Sequence, residues 1–175
     1  VFDVDVARMR YIDEVWGGRI GTRFSSPLAV REACGESDVV IGSVLVPGAR
    51  TPHLVDHETV LGMVPGSVLV DIAVDQGGCF EDSHPTTHAD PTFVVGGSVF
   101  YCVANMPGAV PHTSTYALTN ATMRYVLLLA DEGWRGACGS RDDLRRGLAT
   151  CGGKLVSAPV GEALGIECVP VSEVL

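Results

Sequence analysis

The sequence predicts an α/β protein, a parallel sheet with helices on its faces, followed by a helix-rich tail. Two observations carry this up to about residue 110. Short apolar runs of strand length alternate with stretches of helical spacing. Two of those runs, Val39-Val40-Ile41 and Val68 to Val74, are almost unbroken, the pattern of strands buried on both faces. Beyond residue 110 the strand-like runs give way to one long helical stretch.

Taken in order, Val1 to Val4 reads as a short strand. Val6 to Trp16 has helical spacing, with Val6, Met9, Ile12 and Trp16 near one face, and Gly17-Gly18 ends it. Arg19 to Phe24 is a second strand, and Leu28 to Ala33 a helix after Ser26-Pro27, where proline suits the first turn. Asp56 is placed to cap a helix from His57 to Met63. Pro65-Gly66 makes a turn. Thr92 to Val95 and Val99 to Val103 form strands around Gly96-Gly97. The tail predicts helices at Ser114 to Glu132, Asp142 to Leu148 and Pro159 to Leu164. The expected division is residues 1–110 and 111–175.

Bulk composition narrows the function. Of 175 residues, 46% are hydrophobic and 19% charged, which supplies a core and argues against a disordered chain. A net charge of −9 repels phosphate backbones, so no nucleic-acid partner is expected. A small anionic cofactor stays compatible, because backbone N–H groups bind phosphate without net positive charge. The longest apolar run, Val39 to Ala49, is interrupted by Gly42, Ser43, Pro47 and Gly48, so no membrane span is expected. Asp3 and Asp5 directly after Val1 do not resemble a secretory signal. The chain opens without Met on what reads as a strand already under way, so a fragment of a longer protein is expected. The six cysteines form no CxxC pair and the five histidines no HExxH, so reduced thiols, a cytoplasmic setting and no metal are expected.

Several residues could carry chemistry. In a dinucleotide-binding sheet an acidic residue at the end of the second strand accepts hydrogen bonds from the adenosine ribose, a role open to Asp3. Either Asp3 or Asp5 could instead cap the next helix, and Asp5 suits the cap better. Arg8 could cover an adenine ring or stand exposed, and an Arg here can also accept a 2′-phosphate. The stretch from Gly42 to Gly48 follows a strand and would let backbone approach a flat ring, or is an ordinary loop. Asp71 and Asp75 flank Ile72-Ala73-Val74, and alternation would put both on one face of the strand. Asp75, beside Gln76-Gly77-Gly78, could orient a substrate amine or a water, or merely bond the turn. Asn105 offers an amide to a carboxamide, although Asn-Met-Pro-Gly is also a plain turn signal.

Taken together, five segments closely resemble the bacterial L-alanine dehydrogenases: Val44-Leu-Val-Pro-Gly-Ala49, Val70-Asp-Ile-Ala-Val-Asp-Gln-Gly-Gly78, Pro85-Thr-Thr87, Cys102-Val-Ala-Asn-Met-Pro-Gly-Ala-Val-Pro111 and Thr113-Ser-Thr-Tyr-Ala-Leu-Thr-Asn-Ala-Thr122. The similarity runs the length of the chain. It departs at Phe100, where the family usually carries His.

The resemblance implies a truncated Rossmann-type NAD-binding domain to about residue 110, then the C-terminal part of the substrate domain. It implies reversible NAD-dependent oxidation of L-alanine to pyruvate and ammonium, in a cytoplasmic homohexamer. By motif match Asp3 would hold the adenosine ribose, and Arg8 and Ser25 would line the adenosine side. Val44, Leu45 and Ile72 would contact the cofactor, and Val103, Ala104, Asn105 and Met106 would frame the nicotinamide. Asp75 matches the family's catalytic aspartate and also lies against the cofactor. The family's phosphate-binding GxGxxG loop, its substrate-binding Arg, a Lys and the His that works as general acid/base would precede Val1, so this chain alone should not turn over alanine. Two alternatives remain. One is the NAD-binding subunit of a proton-translocating transhydrogenase, whose corresponding strand exit tends toward Ala-Glu-Ala-Gly-Gly. The other is a non-catalytic assembly fragment.

Overall fold

A computed structural model describes residues 1–175, which separate into two compact units. The first comprises residues 1–45 and 51–104, the second residues 46–50 and 105–175. No helix is long and apolar enough to cross a membrane.

The first unit is mixed α/β, as the sequence predicts. Strands β1 (Phe2–Asp3) and β2 (Arg23–Phe24) pair in parallel. Helix α1 (Val6–Trp16) joins them, and Asp5 caps it by accepting from the N–H groups of Ala7 (2.9 Å) and Arg8 (3.1 Å). Helix α2 (Pro27–Gly35) is capped by the Ser26 hydroxyl at 3.3 Å and starts on Pro27, whose missing N–H costs nothing there. A second, four-stranded sheet contains β3 (Val39–Gly42), β4 (Val68–Asp71), β5 (Thr92–Val95) and β6 (Ser98–Tyr101) in the order β3-β4-β6-β5. Its first three members are parallel, and β5 turns back antiparallel on β6. Helix α3 (His57–Leu61) crosses between β3 and β4, capped by Asp56 as the sequence suggested.

Alternation along β4 and β6 sends Leu69, Asp71, Ser98 and Phe100 into the interior. Leu69 and Phe100 meet Val60, Met63, Cys79, Phe80 and Cys102 in one cluster. Fully burying each large side chain there contributes about 1.5–3 kcal/mol. Phe100 lies edge-on to Phe80 (centroids 6.0 Å apart) and stacks on Phe93 (5.0 Å). Phe100 thus completes an aromatic stack inside the core.

Three expectations need correcting. The run Val68 to Val74 is not one strand. It stops at Asp71 and passes into a 3-10 turn, Val74–Gln76, because the Asp71 carboxylate accepts the Ala73 N–H (3.0 Å) and draws the backbone out of the ladder. Asp71 and Asp75 therefore do not share a strand face: Asp71 is 0% exposed and Asp75 is exposed. Strand β3 is not buried on both faces, since Val39 and Ile41 are 56% and 61% exposed. It is an edge strand, covered only on the side of Val40.

The second unit is mostly helical. Helix α4 (Pro111–Ser140) is longer than predicted and is interrupted at Gly133, where φ is 68° and ψ 166°. Helices α5 (Asp142–Gly147) and α6 (Ala158–Leu164) lie close to their expected places. Sequence reading missed the hairpin of β7 (Thr150–Cys151) and β8 (Lys154–Leu155), whose strands are too short to show a period-2 pattern around Gly152-Gly153.

Candidate functional site

In open α/β sheets, ligands are received at the carboxyl ends of the strands. The sequence-nominated residues of the first unit lie at such ends in two sheets, except Arg8, which lies in α1. Asp3 closes β1 and Ser25 follows β2. Val44 and Leu45 follow β3, Ile72 and Asp75 follow β4, and Val103 and Ala104 follow β6. Parallel pairing brings several such ends level: Asp3 faces Phe24, Gly42 faces Asp71 and Val70 faces Tyr101.

Asp75 sits in the 3-10 turn, with its side chain in solvent and the hydrophobic Ala73 and Val74 anchored in the core. Main-chain hydrogen bonds fix that turn from both sides. Ile72 N–H donates to Gly42 O (2.8 Å), Gly78 N–H to Ala73 O (3.1 Å), Thr51 N–H to Gln76 O (2.8 Å) and Leu54 N–H to Cys79 O (2.7 Å). The His53 ring also lies 3.3 Å from Gly77 O. A carboxylate held this way reaches a ligand without losing backbone freedom.

Asp3 is half-buried. One of its oxygens accepts the Asp5 N–H (2.9 Å), and the other takes no hydrogen bond within the chain. Ser25 donates its N–H to Asp3 O (2.9 Å), which places a hydroxyl beside that carboxylate strand end. Arg8 is exposed, its guanidinium 5.3 Å from the Tyr11 ring. A cavity of about 330 Å³ includes Val4, Ser25, His53, Leu54, Asp56 and Glu81 in its wall. Ser25 is the only nominated residue lining it, and Asp75 does not.

Leu45 and Ile72 are 64% and 55% exposed, apolar surface available to a flat ring. Val44 is half-buried and donates its N–H to Cys79 Sγ (3.5 Å). Val103 is fully buried, main chain included, so it can only back the residues that line a ligand site. Ala104 is half-buried, its N–H committed to Thr86 O (3.1 Å). In the second unit, Asn105 is exposed in the left-handed region (φ 57°, ψ 51°), the one non-glycine residue with positive φ. Half-buried Met106 opens the following 3-10 turn.

Sequence reasoning named Asp71 only as a neighbour of Asp75 on one strand face, and missed both its buried anchoring role and Ser83. The Asp71 carboxylate accepts from Ala73 N–H, Cys79 N–H (2.7 Å) and Ser83 Oγ (2.5 Å). A charged residue inside an apolar run was the available signal. None of the six cysteines is disulfide-bonded, and burial pushes the thiols of Cys34, Cys79 and Cys102 up, which makes them poor nucleophiles.

Comparison with known proteins adds a lineage. The family described as "Alanine dehydrogenase/PNT, C-terminal domain" matches residues 1–158. The alanine dehydrogenase of Mycolicibacterium smegmatis is 57% identical over all 175 residues. The chain spans 47% of that relative, about half its length. A solved L-alanine dehydrogenase superposes with a TM-score of 0.79 at 45% identity, covering 94% of this chain and 45% of that one. A transhydrogenase from Sinorhizobium meliloti superposes less well, with a TM-score of 0.59 at 28% identity over 75% of this chain and 38% of its own.

Proposed function

Because this chain belongs to the alanine dehydrogenase/PNT C-terminal domain family, we propose that it forms the cofactor-binding and C-terminal part of an NAD-dependent alanine dehydrogenase. The reaction is the reversible conversion of L-alanine, NAD⁺ and water to pyruvate, ammonium, NADH and a proton. The observation that carries it is the row of candidate residues at parallel strand ends, with Asp75 projecting from a clamped turn.

The residues suit a dinucleotide. The unused Asp3 oxygen and the Ser25 hydroxyl offer the acceptor and donor that a ribose diol needs, and a carboxylate there repels a 2′-phosphate, which favours NAD over NADP. Arg8 lines the adenosine side. Val44, Leu45 and Ile72 supply apolar contact, and Val103, Ala104, Asn105 and Met106 frame the nicotinamide end. NAD⁺, when bound, supplies the hydride acceptor. Asp75 orients the substrate amine or the attacking water beside the nicotinamide. The substrate-binding Arg, a Lys and the His that works as general acid/base come from the other half of the enzyme. The proposed assembly is a cytoplasmic homohexamer.

The transhydrogenase reading is weaker, because Asp75-Gln76-Gly77-Gly78 differs from the pattern at that family's strand exit. The test is a chimera joining the N-terminal half of the M. smegmatis relative to Val1. The chimera should oxidise alanine. Asp75→Asn in it should abolish that activity, a fall of at least about a hundredfold, with the fold unchanged by circular dichroism. Near-normal turnover in the mutant removes Asp75 from the mechanism.

A further inference from the structure

Asp71 is fully buried, yet it lies only four residues from exposed Asp75. Its carboxylate satisfies donors on both sides of the turn. Oδ1 takes the Ala73 N–H (3.0 Å), just before the 3-10 segment. Oδ2 takes the Cys79 N–H (2.7 Å), just after it, and the Ser83 hydroxyl (2.5 Å). The Cys102 thiol points in turn at Ser83 Oγ (3.8 Å). The chain from Asp71 to Ser83 is thus closed from inside by one carboxyl group. Gly78 completes the enclosure: a Cβ there would lie 2.8 Å from Asp71 Oδ2 and 2.8 Å from Ser83 Cβ.

We propose that Asp71, with Ser83, is the positioning pair for Asp75: it fixes the 72–79 turn so that the Asp75 carboxylate stands at one place and angle. This rests on the reading of Asp75 as the catalytic carboxylate. Neither Asp71 nor Ser83 touches substrate; both act through Asp75. A displacement of about 1 Å in a reacting group costs on the order of a hundredfold in rate, so relaxation of this turn is expected to appear in kcat.

The test uses the active chimera. Ser83→Ala removes one donor from Oδ2 and should lower kcat for alanine oxidation about tenfold, with KM for alanine and NAD⁺ changed less than about twofold. Ser83→Thr, which restores the hydroxyl, should recover most of that loss. Asp71→Asn should cost more, and if it does not fold, the Ser83 variants decide. In the Asp75→Asn background, Ser83→Ala should lower the residual kcat no further, because both changes act on one group. A kcat for Ser83→Ala within twofold of the parent, or the same tenfold loss in the Asp75→Asn background, overturns the proposal. Amide exchange of residues 72–79 reads the turn independently of turnover: faster exchange in Ser83→Ala supports the proposal, and unchanged exchange overturns it. Normal activity in Asp75→Asn alone overturns the catalytic reading instead, a different result from either.

Discussion

Gly78→Ala probes the rigidity of the Asp71 cage, and the structure supplies its own control. Gly78 has a φ of +82°, where an L-residue costs about 1–2 kcal/mol. The added Cβ would also lie 2.8 Å from Asp71 Oδ2 and from Ser83 Cβ. Neither neighbour can yield freely, since Oδ2 is held by Cys79 N–H and the Ser83 hydroxyl. Loss of one such buried hydrogen bond adds roughly 1–3 kcal/mol. The expected total is about 2–5 kcal/mol. Gly66 has a comparable φ of +93° but nothing within 4 Å of its would-be Cβ, so Gly66→Ala should cost only the backbone part, about 1–2 kcal/mol. Urea denaturation of the 175-residue chain, followed by far-ultraviolet circular dichroism, should separate the two variants by about 2 kcal/mol, or roughly 4–8 °C in midpoint temperature. If Gly78→Ala costs no more than Gly66→Ala, the cage is soft and cannot fix the turn.

Phe100→Ala empties the space between Phe80 and Phe93 and should destabilise the chain by about 3–5 kcal/mol in the same assay. A loss below about 1 kcal/mol would contradict the observed packing. The hydroxyl and then the N–H of Thr59, helped by Arg31, hold the Asp56 carboxyl down to about 2. A depressed carboxyl pKa stabilises fully above its ordinary value near ~4 and less as pH falls through the folded value. The gap in midpoint temperature between the parent and Asp56→Asn should therefore be constant above about pH 5, shrink steadily as pH falls through about 2, and vanish only near about pH 1. A gap that persists at the lower pH would contradict that linkage.

Much of this arrangement was legible because it is written in short-range chemistry. Asp5, Ser26 and Asp56 cap helices where a short polar side chain precedes an apolar period. The strands from Val39 and Val68 announced themselves by apolar run length. What was not legible depends on tertiary contacts. Apolar composition alone cannot say that Val39 and Ile41 stand on an edge. The bend after Asp71 comes from a carboxylate that finds Cys79 and Ser83, eight and twelve residues away, so the continuous apolar pattern through Val74 misled. The role of Asp75 was suggested by motif, whereas the partners that hold its turn became visible only in three dimensions.

Helix α4 has a final consequence. Its break at Gly133 combines φ 68° with ψ 166°, a region open essentially to glycine alone. That one residue sets the phase between residues 111–132, largely facing solvent, and residues 134–140, where Ala137 and Cys138 turn inward. A side chain at position 133 would therefore rotate everything downstream, and only concerted change on both sides could restore the fit.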